Sequence, residues 1–504
     1  MLEAEPVAAA DPAAIADGTW RSGGRATVGA VPGALAERPF TALERTICLS
    51  DRPEAPIIVG LLARLGSRVD PDSLREATLA ALARHPMARA RRHPGPVAVA
   101  WWQFPVAPDV EPVTTITAGG AGHEVPDLPP AVTHQGSRAP LDGGGEDDHA
   151  AEAAFAVLCD QASDLTLSPA LRVGLLRLPG SDAIGLVAHH AALDGAALLL
   201  LLTEILADCR VDARSSASAT ASTDTGTAST DAGAASTDLG TQAGGPGPSR
   251  SGRLRRGRPS VRPTGVRPRS GNRYLEPATT TPGRGYGVVA IDVPIPVPSG
   301  GATVNDLLMA AAHLAVERWN HARGRSTGVV RLRMPINMRI RAGAGTTDAD
   351  DIGNGSGQAT VVSTPGERVG PASLLAAVTR QTAAAKVPRS DGNPDPAGAL
   401  WFVPPRARDR VARTAIGLAR PFMMPSATVS NLGRIDPLAG PELTVTSLSF
   451  FPFAGLPQGL AIGVTGYGGR LRLGFSYHRA LFDPAAAARF AALYATALSE
   501  LPGD

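Results

Sequence analysis

Between residues 213 and 283 the chain stops reading as a folded protein, and this interruption constrains the fold more than any other feature of its 504 residues. The first part is built of Ser, Thr, Ala, Asp and Gly, with Ala-Ser-Thr-Asp recurring at 221–224, 228–231 and 235–238. The second part is basic: Arg253, Arg255, Arg256, Arg258, Arg262, Arg267 and Arg269 stand among Pro, Ser and Gly. Neither part carries enough apolar side chain to offset the conformational entropy lost on ordering it. The globular sequence is therefore expected to fold as two halves. Residues 1–38 read as a disordered leader, 39–212 as the first half, 213–283 as the linker and 284–504 as the second half.

Both halves mix helices and strands. In the first, Asp70-Pro71 starts a helix, with Asp70 able to cap it and Pro71 suited to its first position. Leu74, Ala77, Thr78, Ala81 and Leu82 then recur at helical spacing until His85-Pro86. Val97–Phe104 has β character, residues 117–150 read as a Gly- and Pro-rich loop, and Ala151–Ala162 as a helix. Leu171, Val173 and Leu175 alternate with Arg172 and Gly174, as a half-buried strand requires. Pro179–Asp182 supplies a turn, Ile184–Ala188 a returning strand, and an apolar helix runs to about Cys209.

In the second half Thr303 caps a helix to Asn320, whose apolar face is Leu307, Leu308, Ala311, Ala312 and Ala315. Val329–Met334 is a strand. Leu471, Leu473, Phe475 and Tyr477 alternate after Gly468-Gly469 as a hairpin, and Pro484–Leu501 is the closing helix. The fold class is α/β, as two sandwich-like halves.

Composition excludes several functions. With 48 basic and 46 acidic side chains the net charge is +2, so nothing global draws the chain to nucleic acid or an anionic membrane. Cys48, Cys159 and Cys209 fit no CxxC-type metal pattern, and so sparse and odd a set suits a reducing cytoplasm. The first forty residues lack the basic patch and apolar run of a signal peptide. The longest apolar run, Ala191–Leu206, is too short for a membrane span and is broken by Asp194 and Glu204. A cytoplasmic protein with no integral membrane segment is expected.

Between the returning strand and the apolar helix stands His189-His190-Ala191-Ala192-Leu193-Asp194-Gly195, an HHxxxDG motif. Four fixed identities at this spacing arise by chance in roughly one chain of this length in a thousand. A strand end fixes an imidazole closely enough for proton transfer, and histidine titrates near neutrality. Asp194-Gly195 at the turn places a carboxylate at the positive end of the helix. Adjacent strand residues point to opposite faces, so His189 and His190 would not readily share a metal ion, and none is expected.

The motif resembles that of the chloramphenicol acetyltransferase-like superfamily, which includes condensation domains of nonribosomal peptide synthetases, polyketide-associated acyltransferases and wax ester synthases. The resemblance extends to Asp164-Leu165 with Pro169–Arg172, to Val304-Asn305-Asp306, to Pro335–Arg339, to Gly353-Asn354 and to Ser430-Asn431-Leu432-Gly433. It covers about Pro39–Asp212 and Tyr286–Leu501.

That resemblance implies two chloramphenicol acetyltransferase-like lobes in a V-shaped pseudo-dimer with the active site between them. It implies acyl transfer from a thioester, acyl-coenzyme A or an acyl carrier protein, to a hydroxyl or amine acceptor. His190 would be the general base, Asp194 architectural, and His189 and Gly195 supporting. No tightly bound cofactor is implied. The chain lacks the DFGW-type segment of peptide-forming condensation domains and has no carrier domain, which favours a free-standing, monomeric ester or amide former in lipid or secondary-metabolite biosynthesis.

Other readings stand beside these. The scaffold could be a non-catalytic binding module that recruits a carrier protein or partner enzyme. Asn337 and Arg339 either stabilise the junction of the halves or touch substrate. Ser430 and Asn431 either donate hydrogen bonds to the thioester or form a plain turn. Gly353–Gly357 lacks the Lys-Ser/Thr of a phosphate loop and reads as a turn. The arginine run either attracts the phosphates of coenzyme A or is a solvated segment; without interleaved aromatics it is no nucleic-acid signature.

Overall fold

The computed structural model describes residues 36–118, 146–161, 164–211, 274–279, 282–337, 352–385, 402–440, 442–453 and 455–501. In chain order, the first half contains β1 (Ala36–Pro39), α1 (Ala42–Ser50), β2 (Ile58–Leu65), α2 (Pro71–Arg84), β3 (Arg91–Arg92), β4 (Trp101–Phe104), β5 (Val113–Thr117), α3 (Glu146–Asp160), β6 (Leu171–Arg177), β7 (Asp182–His189) and α4 (Gly195–Asp208). The second contains β8 (Tyr286–Val293), α5 (Val304–His321), β9 (Val330–Asn337), β10 (Ser356–Ser363), α6 (Pro371–Ala385), α7 (Pro405–Met423), β11 (Ala427–Arg434), β12 (Val445–Pro452), β13 (Leu460–Tyr467), β14 (Arg470–His478) and α8 (Pro484–Ser499).

Local chemistry explains the helix ends. Asp70 accepts from Ser73 N and Pro71 opens α2, while Thr303 and Asp306 cap α5 reciprocally. Val97–Val99 is a short 3-10 turn where β structure was expected, and the strand starts only at Trp101. The helix expected at 151–162 starts earlier, at Glu146. Of the segment expected to be a linker, residues 213–273 lie outside the described residues. Tyr274–Thr279, by contrast, packs along α5: Leu275 is buried, Glu276 N donates to Asn320 Oδ1, and Trp319 Nε1 donates to Glu276 O.

Two mixed sheets organise the molecule. The first has the order β12-β2-β7-β6-β5 and the second β10-β9-β11-β13-β14-β8. Every residue of β7 is buried, because helices and strands cover it on both faces. On one face α3 sinks in where strand glycines leave room: a Cβ on Gly185 would lie 2.9 Å from Phe155 Cδ2. On the other, α4 buries Leu198, Leu201, Leu202 and Ile205 with α2 in one core.

The sheets do not follow the division of the chain into halves. β12, from the second half, pairs antiparallel with β2 of the first, Phe450 opposite Leu61. It also lies against the second sheet, where Thr465 Oγ1 donates to Leu448 O at 2.6 Å and Arg472 Nε to Ser449 Oγ at 2.7 Å. This strap anchors the second half to the edge of the first sheet.

The two sheets share a sequence of elements. In the first, β6 and β7 form a hairpin that leads into α4; in the second, β13 and β14 form a hairpin that leads into α8. Beside each hairpin runs a strand parallel to its first member, β5 to β6 and β11 to β13.

Candidate active site

β7 ends at His189, and the five residues to Asp194 turn the chain into α4. Asp194 is the N-cap: its Oδ1 accepts from Ala197 N at 3.0 Å, satisfying one of the helix's orphan N–H groups. Gly195 follows where no side chain fits, since a Cβ there would lie 2.6 Å from Phe450 Cε2 and 3.1 Å from Leu432 Cδ2. The motif glycine is thus demanded by the strap β12 and by the Ser430–Gly433 stretch packing onto the start of α4.

The same turn is held from the second sheet. Asp194 is 2% exposed, and its Oδ2 accepts from Gly355 N at 2.9 Å and from Ser356 Oγ at 3.1 Å. Asn354 Nδ2 donates to the carbonyl of His190 at 2.6 Å, while its own Oδ1 accepts from Ser356 N at 3.2 Å. Three consecutive residues at the start of β10 therefore grip both ends of the loop. A buried carboxylate needs this many partners, because stripping water from a charge costs more than one hydrogen bond returns.

The two histidines hold different tautomers. His190 Nδ1 lies 3.2 Å from the carbonyl of Leu193. Asn354 Nδ2 lies farther off, 3.5 Å from the same Nδ1, and is already committed to His190 O, so the shorter contact to a carbonyl that only accepts assigns the proton to Nδ1 and the lone pair to Nε2. Desolvation holds His190 below the ordinary imidazole value, and the charge of Asp194 offsets part of that drop. The ring is therefore neutral at pH 7, and the residue is only partly buried. His189 is 1% exposed and does the reverse: its Nδ1 accepts from Ala191 N at 3.1 Å, so the proton sits on Nε2, which faces Asp51 Oδ2 at 3.5 Å.

The remaining sequence candidates fall at different distances from this turn. Asn337, at the end of β9, is opposite Ser356 in the β9–β10 register, so it sits beside the clamp. Arg339 lies outside the described residues. Ser430 is buried on β11, and Asn431 Oδ1 accepts from Gly433 N at 2.8 Å across a turn in which Gly433 has φ +81°. Leu432 is the member of that stretch that meets the motif, through Gly195. The Gly353–Gly357 stretch leads into β10 and carries the clamp. Ser356 and Phe450 carry no spacing signal in the sequence, since they meet the motif only through the sheets, and Asn354 stands out there only within the Gly353-Asn354 pair of the resemblance. Among the described residues no group of three or more His, Cys, Asp or Glu could hold a metal ion, and no helix is long and apolar enough to cross a membrane.

No family model matches the chain. Two uncharacterised proteins of Mycobacterium tuberculosis, MT2362 of strain CDC 1551 / Oshkosh and Rv2305 of strain H37Rv, are each 27% identical over 469 residues, 90% of this chain and 97% of the relative. Among solved structures, a mutant starter condensation domain of rhizomide synthetase RzmA in complex with C8-CoA is similar at a TM-score of 0.53 and 13% identity, covering 92% of this chain and 94% of that one. The first condensation domain of the calcium-dependent antibiotic synthetase, in complex with a substrate analogue, has a TM-score of 0.53 at 14% identity and covers 93% and 97%. A wax ester synthase/diacylglycerol acyltransferase from Marinobacter aquaeolei VT8 has a TM-score of 0.51 at 12% identity and covers 92% and 98%. The chain thus has the α/β fold shared by condensation domains and this wax ester synthase.

Proposed function

We propose that this protein is an acyltransferase that moves an acyl group from a thioester to a hydroxyl or amine, with His190 as the general base. The observation that carries the reading is the 3.2 Å contact of His190 Nδ1 with Leu193 O, which assigns the ring's tautomer. Its Nδ1–H is spent on Leu193 O, leaving a basic Nε2 on the neutral ring of a partly buried residue. Condensation domains and a wax ester synthase/acyltransferase share the fold, and one such domain was solved with C8-CoA, which supports a thioester donor.

In this reading Nε2 takes the acceptor's proton as the acceptor oxygen or nitrogen attacks the thioester carbonyl. The tetrahedral adduct then collapses, the C–S bond breaks, and the imidazolium returns its proton to the departing thiolate. Asp194 keeps the loop in place and stabilises the transient imidazolium, while Asn354 holds the His190 backbone against drift. Acyl-coenzyme A is the proposed donor, with a carrier-bound thioester as the competing arm of the test.

Purified protein would be offered matched acyl-coenzyme A and acyl-carrier donors with mixed alcohols and amines, and products read by mass spectrometry. New esters or amides that vanish in His190→Ala are expected. Thioester binding without product from any donor would favour the non-catalytic module.

A further inference from the structure

Helix α7 turns its apolar side away from the protein. The side that faces inward is held by few apolar groups and by two polar anchors. Ala412 and Ile416 pack on the core of the first half. Asp409 accepts from Val97 N at 2.7 Å and from Ala98 N at 2.8 Å, and Arg420 Nη2 donates to Ser50 O at 2.6 Å. On the far side Val411 is 49% and Leu418 72% exposed, with Ala415 exposed between them. Seven residues make almost two turns, so Val411 and Leu418 stand in line, about 10 Å apart.

Charge follows the same division. The helix carries five arginines and one acid, and that acid, Asp409, is the anchor turned inward. Arg410 borders the apolar stripe on one edge and Arg406 stands one turn before it; both are exposed and make no ion pair among the described residues. Arg408, half-buried, borders the other edge. Phe402, just ahead of the helix, is exposed as well, so three of the ten exposed large apolar side chains among the described residues fall in this one stretch. Single exposed apolar groups are ordinary on a protein surface, but two aligned on one helix between arginines are not scatter.

Size and charge narrow what covers this face. A second copy of the chain would bring its own arginines against these, and like charges repel across an interface. A stripe of two large side chains is also far smaller than the roughly 800 Å² that each partner buries in a stable protein pair. A lipid surface needs no matching shape. Apolar side chains enter the headgroup layer one by one, and each guanidinium pairs with lipid phosphates. A basic helix with its apolar side outward suits that surface. We propose that the outer face of α7 seats the protein on an anionic membrane, with Val411, Ala415 and Leu418 entering the headgroup layer and Arg406 and Arg410 held by lipid phosphates. The inference stands apart from the acyl-transfer reading and needs no membrane-spanning segment.

Vesicle co-sedimentation with the whole protein tests this. The probes are vesicles of phosphatidylcholine alone and of phosphatidylcholine and phosphatidylglycerol in equal parts. The protein is expected to sediment with the mixed vesicles, to stay in solution with phosphatidylcholine alone, and to be released from the mixed vesicles by high salt. Leu418, Arg406 and Arg410 are exposed, so changing them should leave the melting curve where it was. Leu418→Ser is expected to weaken vesicle binding about tenfold. Arg406→Gln combined with Arg410→Gln is expected to weaken it at least about tenfold and to flatten its salt dependence. No binding to the mixed vesicles overturns the proposal. Binding that survives both sets of changes places the lipid contact elsewhere on the chain, the arginine-rich 253–269 stretch included, and overturns it too. Gel filtration gives the remaining outcome: a dimer that Leu418→Ser dissociates would assign the face to a second copy and contradict the membrane.

Discussion

The molecule contains the same junction twice, and only one copy ends in two histidines. After β7 the chain reads His189-His190-Ala191-Ala192-Leu193-Asp194-Gly195; after β14 it reads His478-Arg479-Ala480-Leu481-Phe482-Asp483-Pro484. The backbones match bond for bond. Ala191 N donates to His189 Nδ1 at 3.1 Å, and Ala480 N to His478 Nδ1 at 3.0 Å. Leu193 N reaches His189 O, and Phe482 N reaches His478 O, both at 3.2 Å. Asp194 caps α4 through Ala197 N, and Asp483 caps α8 through Ala486 N.

The differences are confined to what the junctions present. His478 Nε2 is bonded to Glu54 O at 2.9 Å, whereas His189 Nε2 lacks such a partner. Where the first copy has His190, the second has Arg479, paired with Asp160 at 2.8 Å. The first histidine of the motif and the capping aspartate therefore belong to the turn itself, since a junction without the second histidine keeps both. On the proposed function, His190 is the position that separates a reactive junction from a merely structural one. The clamp from Asn354, Gly355 and Ser356 is the accompanying support.

Removing the two capping aspartates would sharpen the contrast most. Asp194→Ala loses the cap and two further hydrogen bonds to a buried charge, and is expected to cost about 3 kcal/mol in urea unfolding. Asp483→Ala, losing a cap, should cost about 1 kcal/mol. Equal losses would mean the clamp adds nothing to stability. Gly195→Ala drives a methyl into the buried Phe450 ring and is expected to cost about 2 kcal/mol; a wild-type melting curve would contradict the close packing described.

Asn354→Ala removes two hydrogen bonds, Nδ2 to His190 O and Oδ1 from Ser356 N, each worth about 1 kcal/mol. It should lower kcat while KM holds, because the base is displaced and the binding surface is not. A change in KM alone would make Asn354 a substrate contact.

The pH dependence is the subtlest difference. Burial lowers the pKa of both His190 and His478. A lowered histidine contributes stability that is fully present above its unfolded pKa of about 6.5 and is lost as pH falls toward the folded value. Both residues should therefore weaken the fold in acid. Only protonation of His190 should also stop turnover, so His478→Asn should soften the acid loss of stability and leave the pH–rate profile where it was. A shifted profile would place His478 in the chemistry.

Local signals in the sequence carried a good part of this picture. Asp70-Pro71, Thr303 and Gly468-Gly469 mark their turns and caps by chemistry that acts within four residues. HHxxxDG is legible for the same reason, being a strand end, a turn and a cap in sequence. What escapes the sequence is long-range. β12 joins β2 across almost four hundred residues, and Asn354 reaches His190 from a Gly-rich stretch that looks like an ordinary turn. Likewise Gly195 is required by Phe450, a residue on a strand with no pattern of its own pointing there. The likeness of His478–Pro484 to His189–Gly195 amounts to three matching residues, His, Ala and Asp, and becomes plain only once their hydrogen bonds are compared.

Chemical rescue of the lost base tests the central claim most directly. In His190→Ala, acyl transfer should fall by roughly 10²–10⁴-fold with the fold intact. Added imidazole should then restore part of it in proportion to the neutral imidazole present. Turnover by His190→Ala within a few-fold of the unaltered protein, with no response to imidazole, would contradict the account.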